Sequence, residues 1–230
     1  MKTALITGAS SGIGKAAART LAARGYSLAL VARTVEPLQE LAAELGAQAL
    51  PADVSDPDSI TAAITSAAEL FGQIDLLVNN AGYAPLQPTA EISIDEWQKI
   101  LATNLSSVFY ATRAVWPIMQ RQNGGVIVNI SSMSSKDPFM GLGAYGAAKA
   151  GVNLLTLATA REGAPHHIRV HAIAPGAVDT PMFRGLMGDT PIDPASVLTP
   201  ETVADAIAAL LESPFRYTAG ETIFLKAGPA

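Results

Sequence analysis

Thr7-Gly8-Ala9-Ser10-Ser11-Gly12-Ile13-Gly14 is the stretch on which the reading of this chain turns. It follows the short apolar run Thr3–Thr7, which reads as a strand, and it opens a helix. Glycine has no Cβ, so the backbone here can turn tightly and approach a pyrophosphate, while the free N–H groups of the helix start favour negative charge. The spacing is Gly-x-x-x-Gly-x-Gly, distinct from the Gly-x-Gly-x-x-Gly of the more widespread dinucleotide fingerprint. Taken alone, glycines after a strand are also explained as simple turn residues, so the rest of the chain has to decide.

Outward from this turn, short apolar runs alternate with helical stretches, the βαβ pattern of a parallel sheet in an α/β protein. The predicted strands are Thr3–Thr7, Ser27–Arg33, Ala47–Ala52, Leu76–Asn79, Val126–Ile130, Arg169–Ala174 and Thr222–Leu225. Asp56-Pro57 and Thr199-Pro200 each place a capping side chain before a proline that suits the first helical position. Ser93-Ile94-Asp95-Glu96 has capping-box spacing, Trp97–Met119 and Tyr145–Thr159 read as amphipathic helices, and Gly124-Gly125 reads as a helix-ending turn. No repeat, low-complexity tract or linker divides the 230 residues, so one domain over 1–230 is expected. The proline- and glycine-rich stretch of about 176–194 is expected to be irregular or partly helical. It is either a flap packed on the core or a lid whose Met182, Phe183, Leu186 and Met187 cover a bound molecule.

Composition excludes several classes. Fifteen basic against twenty acidic side chains give a net charge of −5, with no basic run that could follow a phosphate backbone, so nucleic acid is not an expected partner. No apolar stretch is long enough to cross a bilayer, and the run Ala4-Leu5-Ile6 is too short for a signal-peptide core. With no cysteine there is no disulfide, thiolate metal site or thiol nucleophile, and a cytoplasmic protein is expected. His166, His167 and His171 lack a metal-ligand pattern, so no metal is expected.

Two further groups give the glycine turn its meaning. Asn79-Asn80-Ala81-Gly82 follows the fourth predicted strand, and Tyr145-Gly146-Ala147-Ala148-Lys149 puts a phenol and an ammonium on one helical face, thirteen positions after Ser132. Singly each has an ordinary explanation: a capping serine, a packed tyrosine, a surface lysine, a helical asparagine at Asn104. As a set, the glycine turn and Asn79–Gly82 resemble the two nucleotide-binding motifs of the short-chain dehydrogenases/reductases, and the likeness runs along essentially the whole chain. That resemblance implies a Rossmann-type, doubly wound sheet of seven parallel strands in the order 3-2-1-4-5-6-7 with helices on both faces, and a dinucleotide across the carboxyl ends of the strands.

It also implies site residues. Gly8, Ser10, Ser11, Gly12, Ile13 and Gly14, with Asn80, Ala81 and Gly82, form the cradle, and Asp53 followed by Val54 meets the adenine ring, although a capping or solvated aspartate is the simpler account of Asp53. Pro175, Gly176, Val178 and Thr180 match the segment that holds the nicotinamide carboxamide. Tyr145 is expected to exchange a proton with a carbonyl oxygen, its phenol made acidic by the Lys149 ammonium and an oxidised nicotinamide. Lys149 also grips the ribose, Ser132 orients the carbonyl and Asn104 anchors a water that feeds protons to Lys149. After the second strand, Ala32-Arg33-Thr34 stands where an acid would bind the ribose hydroxyls of NAD. Arg33 would instead meet a 2′-phosphate, which favours NADP(H), with NAD(H) use left open by the uncharged Ser11.

The expected activity is therefore hydride transfer between NADP(H) and a small-molecule carbonyl or alcohol, by a homodimer or homotetramer built on the helices carrying Asn104 and Tyr145. The short tail to Ala230 is expected to narrow one of that family's usual interfaces. A catalytically silent dinucleotide sensor, an NAD-dependent alcohol dehydrogenase and a nucleotide-sugar epimerase or dehydratase are the rival readings. The last lacks support, because its Gly-x-x-Gly-x-x-Gly cradle and larger carboxyl-terminal portion are both missing here.

Overall fold

Strand β1 (Thr3–Thr7) is buried over all five residues, as a central strand covered on both faces must be. In a computed structural model, which describes residues 1–212, 215 and 218–228, it lies in a seven-stranded sheet with β2 (Ser27–Ala32), β3 (Gln48–Pro51), β4 (Leu76–Asn79), β5 (Gly125–Ile130), β6 (Ile168–Pro175) and β7 (Thr222–Leu225). All pairings are parallel and the order is β3-β2-β1-β4-β5-β6-β7. This is the doubly wound Rossmann-type arrangement, and its switch point falls between β1 and β4. Ala230, to which the expectation about the tail refers, lies outside the described residues.

Because successive strand side chains point to opposite faces, the sheet builds two cores. On one face Ile6, Leu30, Val78 and Val128 pack against α1 (Gly12–Ala23), α2 (Val35–Leu45) and α8 (Pro200–Ala209) through Leu21, Leu38 and Ile207. On the other, Leu5, Val31, Leu77 and Ile127 pack against α3 (Pro57–Phe71) and the helix ending in α5 (Ser107–Arg121) through Ile64 and Met119. No described helix is long and apolar enough to cross a membrane.

The helix starts follow their chemistry. Asp56 caps α3 by accepting from Asp58 N, and Thr199 caps α8 by accepting from Thr202 N, each with proline next in line. Ser93 caps α4 (Ile94–Leu101) by accepting from Glu96 N. The reciprocal arm of that capping box is not made, since Glu96 Oε1 has no hydrogen-bond partner and lies 3.8 Å from Lys99 Nζ.

Helix α4 runs into α5 through a π-helical turn, Ala102–Ser106, which the periodicity of Trp97–Met119 does not announce. The Gly124 turn after α5 has φ +146°, a value favouring glycine, and a Cβ there would sit 3.2 Å from His167 O. Residues 176–194 are partly helical, with α7 (Pro181–Met187) capped by Thr180 and a bridge pairing Val178 with Leu198. His171 is fully buried on β6, and burial, reinforced by the charge of Arg169, holds its pKa down at about 4, so the ring is neutral at neutral pH.

Candidate active site

The glycine turn is shaped by what it must approach. Gly8 has φ +65°, and a Cβ on it would lie 2.8 Å from the Ala81 Cα; one on Gly14 would run into Gly8 O and come within 2.6 Å of Asn80 Nδ2. Only glycine lets β1, α1 and the end of β4 meet this closely. Polar bonds hold the junction. Thr7 Oγ1 accepts from Asn80 N (3.0 Å) and Ala81 N (3.1 Å), and Asn80 Nδ2 donates to Thr7 O (2.9 Å) and Gly8 O (3.2 Å).

Beyond that junction opens a cleft of about 270 Å³ along the carboxyl ends of the strands. Gly8, Ser10, Ser11, Gly12 and Ile13 line one side, Arg33 and Val54 one end, and Asn80, Ala81 and Gly82 the middle. Tyr145, Lys149 and Thr180 line the other end. Among the described α-helices four starts carry a side-chain cap, at Asp56, Ser93, Thr180 and Thr199, whereas Ser11 at the start of α1, like Thr34 and Leu142 at two other starts, makes no such bond. The first N–H groups of α1 are thus free to face the cleft, where the helix dipole favours an anion.

Other expected residues lie behind the wall. Gly14 is buried at the junction. Asp53 does not line the cleft; its carboxylate accepts from Ser55 N (2.9 Å) and Ser55 Oγ (2.7 Å), with Arg33 Nη1 3.9 Å distant. Burial would raise its pKa, but the Ser55 bonds and then the Arg33 charge prevail and hold it below the usual carboxylate range. Pro175 ends β6, Gly176 N donates to Leu225 O (2.8 Å), and Val178 is buried against the segment ending at Thr199. Five residues not assigned to the site also line the cleft, Ala52, Thr103, Ile130, Ser131 and Pro181, and Met182 of the expected lid lines it too. Ser131 could have been found as the immediate neighbour of Ser132 at the end of β5.

Asn104 is fully buried in the π turn. Its Nδ2 donates to Tyr83 O (2.7 Å) and Ile100 O (2.9 Å), and its Oδ1 accepts from Tyr83 N (3.1 Å). Both amide hydrogens are therefore used, and one Oδ1 lone pair is left. Ser132 is extended, its Oγ accepting from Ser134 N (3.1 Å) at the start of a 3₁₀ turn, Met133–Ser135.

Tyr145 and Lys149 are one turn apart near the start of α6 (Gly143–Gly163). Lys149 is buried, with Nζ donating to Ile130 O at 2.7 Å and lying 5.7 Å from the Tyr145 ring centroid. Burial pushes the Tyr145 phenol up to about 12, with the Ser132 hydroxyl only partly opposing it, and burial pulls Lys149 down to about 8. Within the protein alone, burial is the dominant influence on the phenol and the Ser132 hydroxyl the one that opposes it.

Comparison with known proteins accords with this geometry. The short chain dehydrogenase family profile matches residues 2–190. The chain belongs to that family. It is 37% identical to the 3-oxoacyl-[acyl-carrier-protein] reductase FabG of Escherichia coli, over 99% of this chain and 96% of that one. It is 36% identical to 3beta-hydroxysteroid dehydrogenase 1 of Eggerthella lenta, over 99% and 93%. Among solved structures, a variant actinorhodin polyketide ketoreductase with NADPH superposes with a TM-score of 0.92 at 31% identity, covering 99% of this chain and 96% of that one. The short chain dehydrogenase described here is thus an oxidoreductase by family, with relatives of differing substrates.

The Thr7 cross-tie is expected to be stabilising. Thr7→Val leaves two main-chain N–H groups without their acceptor, which should lower the unfolding free energy by about 2 kcal/mol in urea titration. An unchanged midpoint would show that the tie contributes nothing.

Proposed function

We propose that this protein, working as one domain over 1–230, transfers a hydride between a nicotinamide dinucleotide and a carbonyl or secondary alcohol, with Tyr145 as general acid and base. The observation carrying this reading is a single cleft that joins the glycine turn to Tyr145 and Lys149. The residues present fit such a dinucleotide: the uncapped start of α1 offers N–H donors to a pyrophosphate, and glycine at positions 8 and 12 keeps the backbone open there. When bound, the nicotinamide supplies or accepts the hydride at its C4. Val178 and Thr180 belong to the segment assigned to its carboxamide.

The remaining chemistry is the chain's own. As negative charge grows on the carbonyl oxygen, Tyr145, protonated at neutral pH, gives it the phenolic proton. Ser132 holds the carbonyl oxygen by hydrogen bond. Lys149 places a positive charge beside the phenol and grips the ribose, and Asn104 offers its remaining lone pair to a water that resupplies protons to Lys149. The same groups run in reverse for alcohol oxidation, with Tyr145 accepting the proton. The family's soluble nucleotide chemistry and the absence of cysteine support a cytoplasmic setting.

NADP(H) is the cofactor this reading favours. Arg33 lines the cleft end, and its link to Asp53 is long and exposed, so turning toward a 2′-phosphate costs little. A homodimer or homotetramer is proposed through α4, α5 and α6, which expose Trp97, Phe109 and Leu154. Sedimentation showing only monomer at micromolar concentration would exclude it.

Tyr145→Phe should reduce ketone turnover about a thousandfold while dinucleotide binding persists; equal turnover in the two proteins would exclude the acid role, and binding without turnover in the wild type would favour the silent sensor. Lys149 loses its ammonium as pH rises through about 8, so reduction should decline above that pH; a profile flat to strongly alkaline pH would count against its role. Arg33→Ala should weaken NADPH binding about tenfold and leave NADH binding within about twofold. Equal losses for both cofactors would remove the 2′-phosphate contact.

A further inference from the structure

The segments framing the mouth of the cleft differ sharply from its anion-binding end. Residues 83–91 follow Gly82, residues 133–143 link Ser132 to the start of α6, and residues 176–194 carry α7. The first two are fastened together. Gln87 N donates to Gly141 O at 2.9 Å, Gly141 has φ +87°, and a Cβ there would lie 3.1 Å from Leu86 Cδ1. The third approaches Gly82, where the first begins, through Met182, whose Cε lies 3.8 Å from where a Gly82 Cβ would be.

These segments present large apolar side chains to solvent: Leu86 is 52% exposed, Phe139 70% and Met140 91%, with Met182 at 41% on the cleft wall. Such a cluster is costly to leave wet unless something apolar covers it in use.

Their charge narrows the choice. The three segments carry two cations, Lys136 and Arg184, against five carboxylates, Glu91, Asp137, Asp179, Asp189 and Asp193. Arg184 forms a two-pronged pair with Asp179 at 2.6 and 2.7 Å, while Lys136 is exposed with Nζ 3.9 Å from the Phe224 ring centroid. A phosphate-bearing thioester or an acidic carrier protein would meet a net negative charge on these segments. An uncharged molecule meets no such opposition.

We propose that the substrate is a neutral, bulky, apolar ketone free in solution, its carbonyl at Tyr145 and its body against Leu86, Phe139, Met140 and Met182. This rests on the carbonyl-reductase reading above. In the step, a hydride from NADPH forms the new C–H bond at the carbonyl carbon and the Tyr145 proton forms the O–H bond. The ketone becomes a secondary alcohol, NADPH becomes NADP⁺, and two electrons are exchanged.

The test is steady-state oxidation of NADPH by the full-length protein with 2-tetralone or acetoacetyl-coenzyme A. The expected kcat/KM for 2-tetralone exceeds that for the thioester at least tenfold. A Phe139→Ser/Met140→Ser double substitution on this exposed loop should raise the KM for 2-tetralone about fivefold and change kcat less than twofold, since it removes contacts made equally before and during the reaction. Preference for the thioester, or an unmoved KM in the double variant, would overturn the proposal. Reduction of neither compound, with NADPH demonstrably bound, would instead overturn the carbonyl-reductase reading beneath it.

Discussion

The architecture of the site depends on one close approach: the ends of β1 and β4 meet across Gly8, Gly14 and Asn80, with no room for a Cβ at either glycine. At this switch point the connections leave β1 and β4 toward opposite faces of the sheet, which would open a gap were the strand ends not tied. Thr7 and Asn80 supply the tie with five hydrogen bonds between side chain and main chain. The result is a crevice with a fixed floor, walled by the uncapped start of α1 on one side and by Tyr145 and Lys149 on the other. Each bond contributes modestly on its own, but losing one partner strands buried polar groups, and that asymmetry makes the junction rigid.

A second layer of polar bonds runs from the sheet into α6. Asn79 Nδ2 donates to Asn129 Oδ1 at 2.9 Å, Asn129 Nδ2 donates to Thr156 Oγ1 at 2.9 Å, and Thr156 Oγ1 donates to Val152 O at 2.8 Å. Ser131 Oγ donates to Lys149 O at 3.2 Å. The helix that carries Tyr145 and Lys149 is therefore registered against the strands that carry Asn80 and Ser131. Desolvation then sets the protonation states: phenol neutral at about 12, ammonium softened to about 8.

Much of this was legible in the residues, because the constraints that make it are local. Strands β1, β4 and β7 coincide with the apolar runs, since each run is bounded by turn or polar residues. Strand β3 is shorter than the run Ala47–Ala52, because Ala47 N is taken by Ala42 O at the end of α2. Strand β6 is longer than expected, paired with β5 from Ile168 to Ile173 and with β7 from Ala172 to Pro175. The π turn at Asn104 was not legible: it accompanies bonds to Tyr83, a residue brought there by the tertiary fold. The same is true of Asp53, whose carboxylate answers to Ser55 and Arg33, and of the phenol's raised pKa, which depends on burial that no motif encodes.

Hydride transfer in this crevice, as proposed above, leaves a signature that dinucleotide binding alone does not. The most direct measurement is NMR of the alcohol formed from a reduced ketone when the cofactor is NADPH carrying deuterium on both C4 positions, in protiated water. Deuterium bonded to the carbinol carbon, one atom per molecule, is the expected result. An alcohol with protium at that carbon, or bound cofactor with its label undisturbed in the presence of every ketone offered, would contradict it.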